Sequence, residues 1–132
     1  MKNYAIVLAA GNGTRMKVDV AKCLHHIIKK PMIEYVVESI DNNTFNKTMV
    51  VISSNHEEKF KEVFPTDIEF VIQPTQKGTG DAVSCCLPNI KDLKGYTLIL
   101  QGDVPLIKKE ELNEFVKYHL ESKNDVSVLT TN

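Results

Sequence analysis

Between residues 4 and 16 the chain reads Tyr-Ala-Ile-Val-Leu-Ala-Ala-Gly-Asn-Gly-Thr-Arg-Met, and this stretch constrains the fold more than any other. Residues 4–9 form a short, unbroken apolar run, the pattern of a strand buried on both faces in the middle of a parallel sheet. Small residues follow at once. Ala9, Ala10, Gly11 and Gly13 leave the backbone bare, so an anion can approach its N–H groups closely. Arg15 adds a rigid cationic fork two residues beyond Gly13. A strand, a glycine loop and a cation in that order describe a phosphate site; the plainer alternative is a tight strand-exit turn with Arg15 in solvent. The spacing lacks the G-x-x-x-x-G-K-[ST] frame. It also misses the G-x-G-x-x-G fingerprint, because Met16 stands where the third glycine belongs.

The rest of the chain alternates between short apolar runs and helical patterns. Pro31 reads as the first residue of a helix whose apolar face is Ile33, Val36, Val37 and Ile40. Residues 48–52 read as a second buried strand. Asn55 and Glu58 have the spacing of a capping box opening a helix that runs to about Phe64. A third strand is predicted at residues 68–72, a helix from Gly80 to Leu87, and a fourth buried strand at residues 97–100. Leu112, Phe115, Val116, His119 and Leu120 give the face of a last helix, and Val126 to Thr130 reads as a fifth strand. Such alternation predicts an α/β fold, a Rossmann-like, doubly wound and mostly parallel sheet in one domain over residues 1–132. Ligands in such sheets lie beyond the carboxyl ends of the strands. The glycine loop, the stretch from Gln73 to Val83 and the segment Gln101-Gly102-Asp103 all fall at those ends.

A chain of 132 residues suits one domain that buries roughly two-thirds of its extended surface. An apolar fraction of 42% with 25% charged residues argues against disorder. A net charge of −1 gives no basis for nucleic-acid or membrane-surface binding. No apolar segment approaches the roughly 18 residues of a membrane span, and the first apolar run leads into glycines rather than a cleavage site. Cys23, Cys85 and Cys86 lack metal-ligand spacing, the last two being adjacent, which fits a reducing cytoplasmic setting.

Three stretches together carry a family resemblance. Leu8-Ala-Ala-Gly-Asn-Gly-Thr-Arg-Met16 is followed by Lys22-Cys-Leu-His25 and Lys30-Pro-Met32; then come Gln73-Pro-Thr-Gln-Lys-Gly78-Thr79-Gly80-Asp-Ala-Val83 and Gln101-Gly-Asp103-Val-Pro-Leu106. In order and spacing the chain resembles the sugar-1-phosphate nucleotidyltransferases, also called nucleoside-diphospho-sugar pyrophosphorylases. The likeness is greatest to their uridylyltransferases acting on N-acetylglucosamine-1-phosphate. It implies attack of a sugar-1-phosphate oxygen on the α-phosphorus of a nucleoside triphosphate, with UTP the expected donor and pyrophosphate the leaving group. In that scheme the backbone at Leu8, Ala9, Ala10, Gly11, Asn12, Gly13 and Thr14 cradles the nucleotide. Arg15 holds the leaving pyrophosphate and Lys22 meets the α-phosphate. Gln73 reads the base under a loop closed by Gly78 and Thr79, Gln101 and Gly102 complete the nucleotide contacts, and Asp103 holds Mg²⁺ against the phosphates. Taken singly, Lys22 reads as a solvated lysine; for Gln73 and Asp103 the plainer alternatives are a turn residue and the cap of the next helix.

The chain departs from the family in three respects. Ala21 replaces the proline that usually precedes the lysine, and Asp81 stands where the acetylglucosamine enzymes carry histidine, placing a negative charge near the expected phosphates. Family members also continue for roughly another hundred residues, more than one supersecondary unit, with the sugar-contacting loop and a second metal ligand. A nucleotide-binding remnant without catalysis is therefore the alternative function. A fifth strand lacking its usual cover would favour self-association.

Overall fold

The computed structural model describes residues 2–11, 24–64, 68–103 and 107–130. In chain order its elements are β1 (Tyr4–Leu8), a small hairpin of β2 (His26–Ile27) and β3 (Lys30–Pro31), α1 (Met32–Glu38), β4 (Lys47–Ile52), α2 (Glu57–Val63), β5 (Glu69–Ile72), α3 (Thr79–Ser84), β6 (Thr97–Gln101) and α4 (Lys109–Ser122). Among the described residues the main sheet has four strands in the order β5-β4-β1-β6, and every neighbouring pair is parallel. The predicted α/β doubly wound sheet is the one observed.

All five residues of β1 are buried, because β4 and β6 flank it and both its faces are covered. Alternation along the strand sorts its side chains into two cores. Ala5 and Val7 join Ile33 and Val36 of α1, Phe60 of α2, and Leu112 and Val116 of α4. Tyr4, Ile6 and Leu8 face the other way and pack with Met49, Val51, Val71, Ala82 of α3 and Cys86. Helices thus cover both faces, three on one side and α3 on the other.

Several local expectations are corrected. Pro31 is the residue before α1, extended at φ −60° and ψ 148°, and also pairs within the hairpin, so the helix begins one residue later. The capping box at Asn55 does not form: Ser54–His56 make a 3₁₀ turn, and α2 starts at Glu57 with no side-chain cap. β5 begins at Glu69 rather than at residue 68. α3 ends at Ser84, and Pro88 sits inside a separate 3₁₀ turn, Leu87–Asn89, so Cys85 and Cys86 follow the helix instead of lying within it.

β6 is buried on alternate residues only, with Ile99 48% exposed. Among the described residues it is an edge strand, as β5 is on the other side, and α4 covers the Leu98 and Leu100 face while α3 lies over β1 and β4. The fifth strand is absent at residues 126–130, which are irregular, with Val126 and Val128 mostly exposed. The reason lies at the end of α4. Lys123 turns the chain in a left-handed conformation (φ 55°), His119 Nδ1 and Ser127 Oγ hydrogen-bond at 2.8 Å, and Asn124 Nδ2 donates to Ser127 Oγ at 3.3 Å. These bonds tie the tail to the helix.

Cys86 is fully buried in the core beside Ala82. Burial, aided by Cys85 and Glu69, pushes its thiol up to about 11. About a thousandth of it is ionised at pH 8, and access is closed as well. Cys86 is therefore expected to stay unmodified by iodoacetamide at pH 8 in the folded protein and to react once urea unfolds it; peptide mass mapping reads the difference, and native labelling would contradict the packing.

Candidate functional site

The chain moves from β1 outward to β4 and β5, then returns to place β6 on the other side of β1. That reversal makes a switch point at the carboxyl ends of β1 and β6, the place where a sheet of this kind opens a crevice. Backbone bonds carry the strand geometry one residue further. Ala9 N–H donates to Val51 O (2.8 Å), Gln73 N–H to Ile52 O (2.9 Å) and Gly102 N–H to Leu8 O (2.9 Å). The loops after β1, β5 and β6 are thereby fixed along one rim of the sheet.

A cleft of ≈ 240 Å³ opens there, lined by Leu8, Ala10, Gly11, Gln73, Gln76, Gly78, Thr79, Ala82 and Gln101. Seven of these lining residues were singled out in the sequence: Leu8, Ala10, Gly11, Gln73, Gly78, Thr79 and Gln101. Ala9, Gly102 and Asp103 are not among them. The Ala9 side chain faces the core of α1, α2 and α4, and its N–H already donates to Val51. Gly102 is buried. Asp103 follows it, exposed, past the end of β6. Asn12, Gly13, Thr14, Arg15 and Lys22 lie outside the described residues.

The base-reading candidate, Gln73, is 4% exposed and held firmly. Its Nε2 donates to Gly78 O at 3.2 Å and to Asp81 Oδ2 at 2.9 Å. Gly78 has φ 97° and ψ 178°, a conformation essentially reserved for glycine, and this presents its carbonyl to the Gln73 amide. Gln76 reaches across the cleft and donates from Nε2 to Ala10 O, joining the loop after β5 to the loop after β1.

The sequence assigned Gln76 no role and marked Asp81 only as a charge near the expected phosphates; it gave neither of them its partner. Both lie inside the Gln73–Val83 stretch, so the available signal was a run of polar side chains in a loop leaving a buried strand. The charge of Asp81 is not left facing phosphates: its carboxylate partners an amide.

Asp103 stands just past the end of β6. Its carboxylate is exposed, so the cost of burying it does not arise. Among the described residues no group of three or more His, Cys, Asp and Glu side chains gathers to make a metal cage. The Asp103 carboxylate stands at the end of β6, and Mg²⁺ commonly takes one or two carboxylates and fills its shell with phosphate and water oxygens. Among the described residues, no helix is long and apolar enough to cross a membrane.

Comparison with known proteins extends this picture. The chain is 42% identical to the bifunctional protein GlmU of Streptococcus mutans over 130 residues, covering 98% of this chain and 28% of that protein. Against the same protein of Exiguobacterium sibiricum the identity is 38%, over 98% of this chain and 29% of the relative. The chain thus spans less than a third of these relatives. A nucleotidyl transferase from Methanothermobacter thermautotroptrophicus superposes with a TM-score of 0.74 at 20% identity, over 89% of this chain and 57% of that one, a likeness of fold. The model of the MobA-like NTP transferase domain matches residues 5–132, and the chain belongs to that family.

Proposed function

We propose that the chain carries out Mg²⁺-dependent nucleotidyl transfer from UTP to a sugar-1-phosphate, N-acetylglucosamine-1-phosphate being the foremost candidate. The reading rests above all on one observation: residues from the loops after β1, β5 and β6 line a single cleft at the switch point of the sheet. In the reaction, a phosphate oxygen of the sugar-1-phosphate bonds to the α-phosphorus. The bond from that phosphorus to the bridging oxygen breaks, and pyrophosphate leaves with its electron pair.

No covalent enzyme intermediate is needed, so the protein's work is positioning and charge stabilisation. The backbone from Leu8 to Gly13 cradles the nucleotide, Gln73 meets the base beside Gly78 and Thr79, and Gln101 and Gly102 border the ribose and phosphates. Lys22 stabilises charge at the α-phosphate and Arg15 at the departing pyrophosphate. Asp103 would hold Mg²⁺, which supplies charge neutralisation shared with the phosphate oxygens.

Purified protein in single-turnover amounts, given UTP, Mg²⁺ and N-acetylglucosamine-1-phosphate, is expected to release pyrophosphate only when the sugar phosphate is present. Absence of release, or release independent of the acceptor, would contradict the transfer reaction.

A further inference from the structure

The orientation of the Gln73 carboxamide is fixed by its partners. Oxygen and nitrogen of an amide are usually assigned from the hydrogen-bond network. Here both neighbours are acceptors: the Asp81 carboxylate at 2.9 Å and the Gly78 carbonyl at 3.2 Å. Only the NH₂ end can face them, and both of its hydrogens are taken. Oε1 accepts no hydrogen bond from any described residue, yet it is not among the fully buried polar atoms that lack a partner. It is the edge left for a ligand in the cleft that Gln73 lines.

We propose that Asp81 is a positioning residue for base choice: it holds the Gln73 carboxamide with the nitrogen engaged and the oxygen presented, so that the cleft selects bases carrying a ring N–H. This rests on the nucleotide reading above and adds a rule to it. Uracil offers N3–H to such an oxygen. Cytosine has a lone pair at the same ring position and meets lone pair with lone pair. Guanine and adenine differ in the same sense at N1. Without Asp81 the amide keeps only the longer bond to the Gly78 carbonyl, so turning it to suit a base without a ring N–H costs one hydrogen bond rather than two.

Calorimetric titrations with UTP, CTP and 3-methyl-UTP in Mg²⁺ test this. In the unmodified protein UTP is expected to bind about tenfold tighter than either of the others, the effect of one lost hydrogen bond to a desolvated partner. Asp81→Ala should narrow the UTP-to-CTP ratio to within about threefold, whereas Asp81→Asn, which can still accept from Nε2, should keep most of it. A general weakening of the fold would lower both affinities and leave the ratio alone.

An unchanged ratio in Asp81→Ala would overturn the assignment. So would 3-methyl-UTP binding as tightly as UTP, a result that needs no variant. If the unmodified protein binds UTP and CTP equally, the nucleotide site stands and the role of Asp81 falls; if it binds no nucleotide, both fall.

Discussion

Replacing Asp103 by alanine is expected to abolish the contribution of Mg²⁺ to UTP binding. Gly102 N–H is tied to Leu8 O at 2.9 Å, so the next residue leaves β6 beside the start of the glycine loop. A carboxylate at that point would fill an ion's shell together with phosphate oxygens, which supply much of the rest. Metal and nucleotide should therefore bind together and not separately. If UTP binds with Mg²⁺ as proposed, a hundredfold excess over Kd would stabilise the fold by about 2.7 kcal/mol and raise Tm by about 10 °C in a domain of this size. In Asp103→Ala the Tm with UTP should be the same in Mg²⁺ as in EDTA, leaving only the smaller shift due to the backbone cradle and Gln73. Persistence of a metal-dependent shift would move the ion elsewhere, and the measurement needs no turnover.

How much of this was legible beforehand depends on which neighbours each residue has. The β1 strand was readable because a centre strand is buried on both faces and its residues are apolar without interruption. The same apolar texture at Thr97–Gln101 misled, since sequence shows that side chains are apolar and not whether anything lies over them. At the edge of the sheet Ile99 stays 48% exposed and joins neither core among the described residues. Residues 126–130 misled for a related reason. Their composition suits a strand, but the decisive contacts, His119 with Ser127 and the left-handed turn at Lys123, belong to the helix end.

The site divides in the same manner. Gln73, Gly78 and Thr79 were legible because a loop leaving a buried strand must carry its own chemistry, and their order matched a known pattern. The Gln73–Asp81 pair was not, because the partners are eight positions apart across loop and helix and no periodicity marks the spacing. Still less visible was the bridge from Gln76 to Ala10, which joins residues 66 apart. Local pattern reveals which residues a strand delivers to its end; it does not reveal which of them meet.

At the opposite end of the sheet, Gly95→Ala is expected to destabilise the protein severely. A Cβ built on Gly95 would stand 2.0 Å from Lys2 O, 2.8 Å from Lys2 C and 2.5 Å from Asn3 Oδ1. Two of those atoms are backbone, so no side-chain rotation relieves the overlap. Nor can Asn3 retreat at little cost. Its Oδ1 accepts from Tyr96 N–H (3.2 Å), its Nδ2 donates to Thr44 O (3.3 Å), its N–H donates to Asn46 Oδ1 (2.9 Å) and its carbonyl accepts from Asn46 N–H (2.8 Å). One asparagine thereby ties together the entries to β1, β4 and β6. Making room for a methyl group means either breaking part of this set or shifting β1 against β6, and overpacking of that kind costs about 1–3 kcal/mol before the lost hydrogen bonds are counted. The register Tyr4 with Thr97 through Leu8 with Gln101 carries any such shift along both strands to the cleft. Urea unfolding of Gly95→Ala should show a midpoint lowered by at least ~2 kcal/mol of stability, and UTP affinity should fall although the substitution lies at the far end of the sheet. Retention of both would mean that the entry to β6 yields more easily than this network of hydrogen bonds allows.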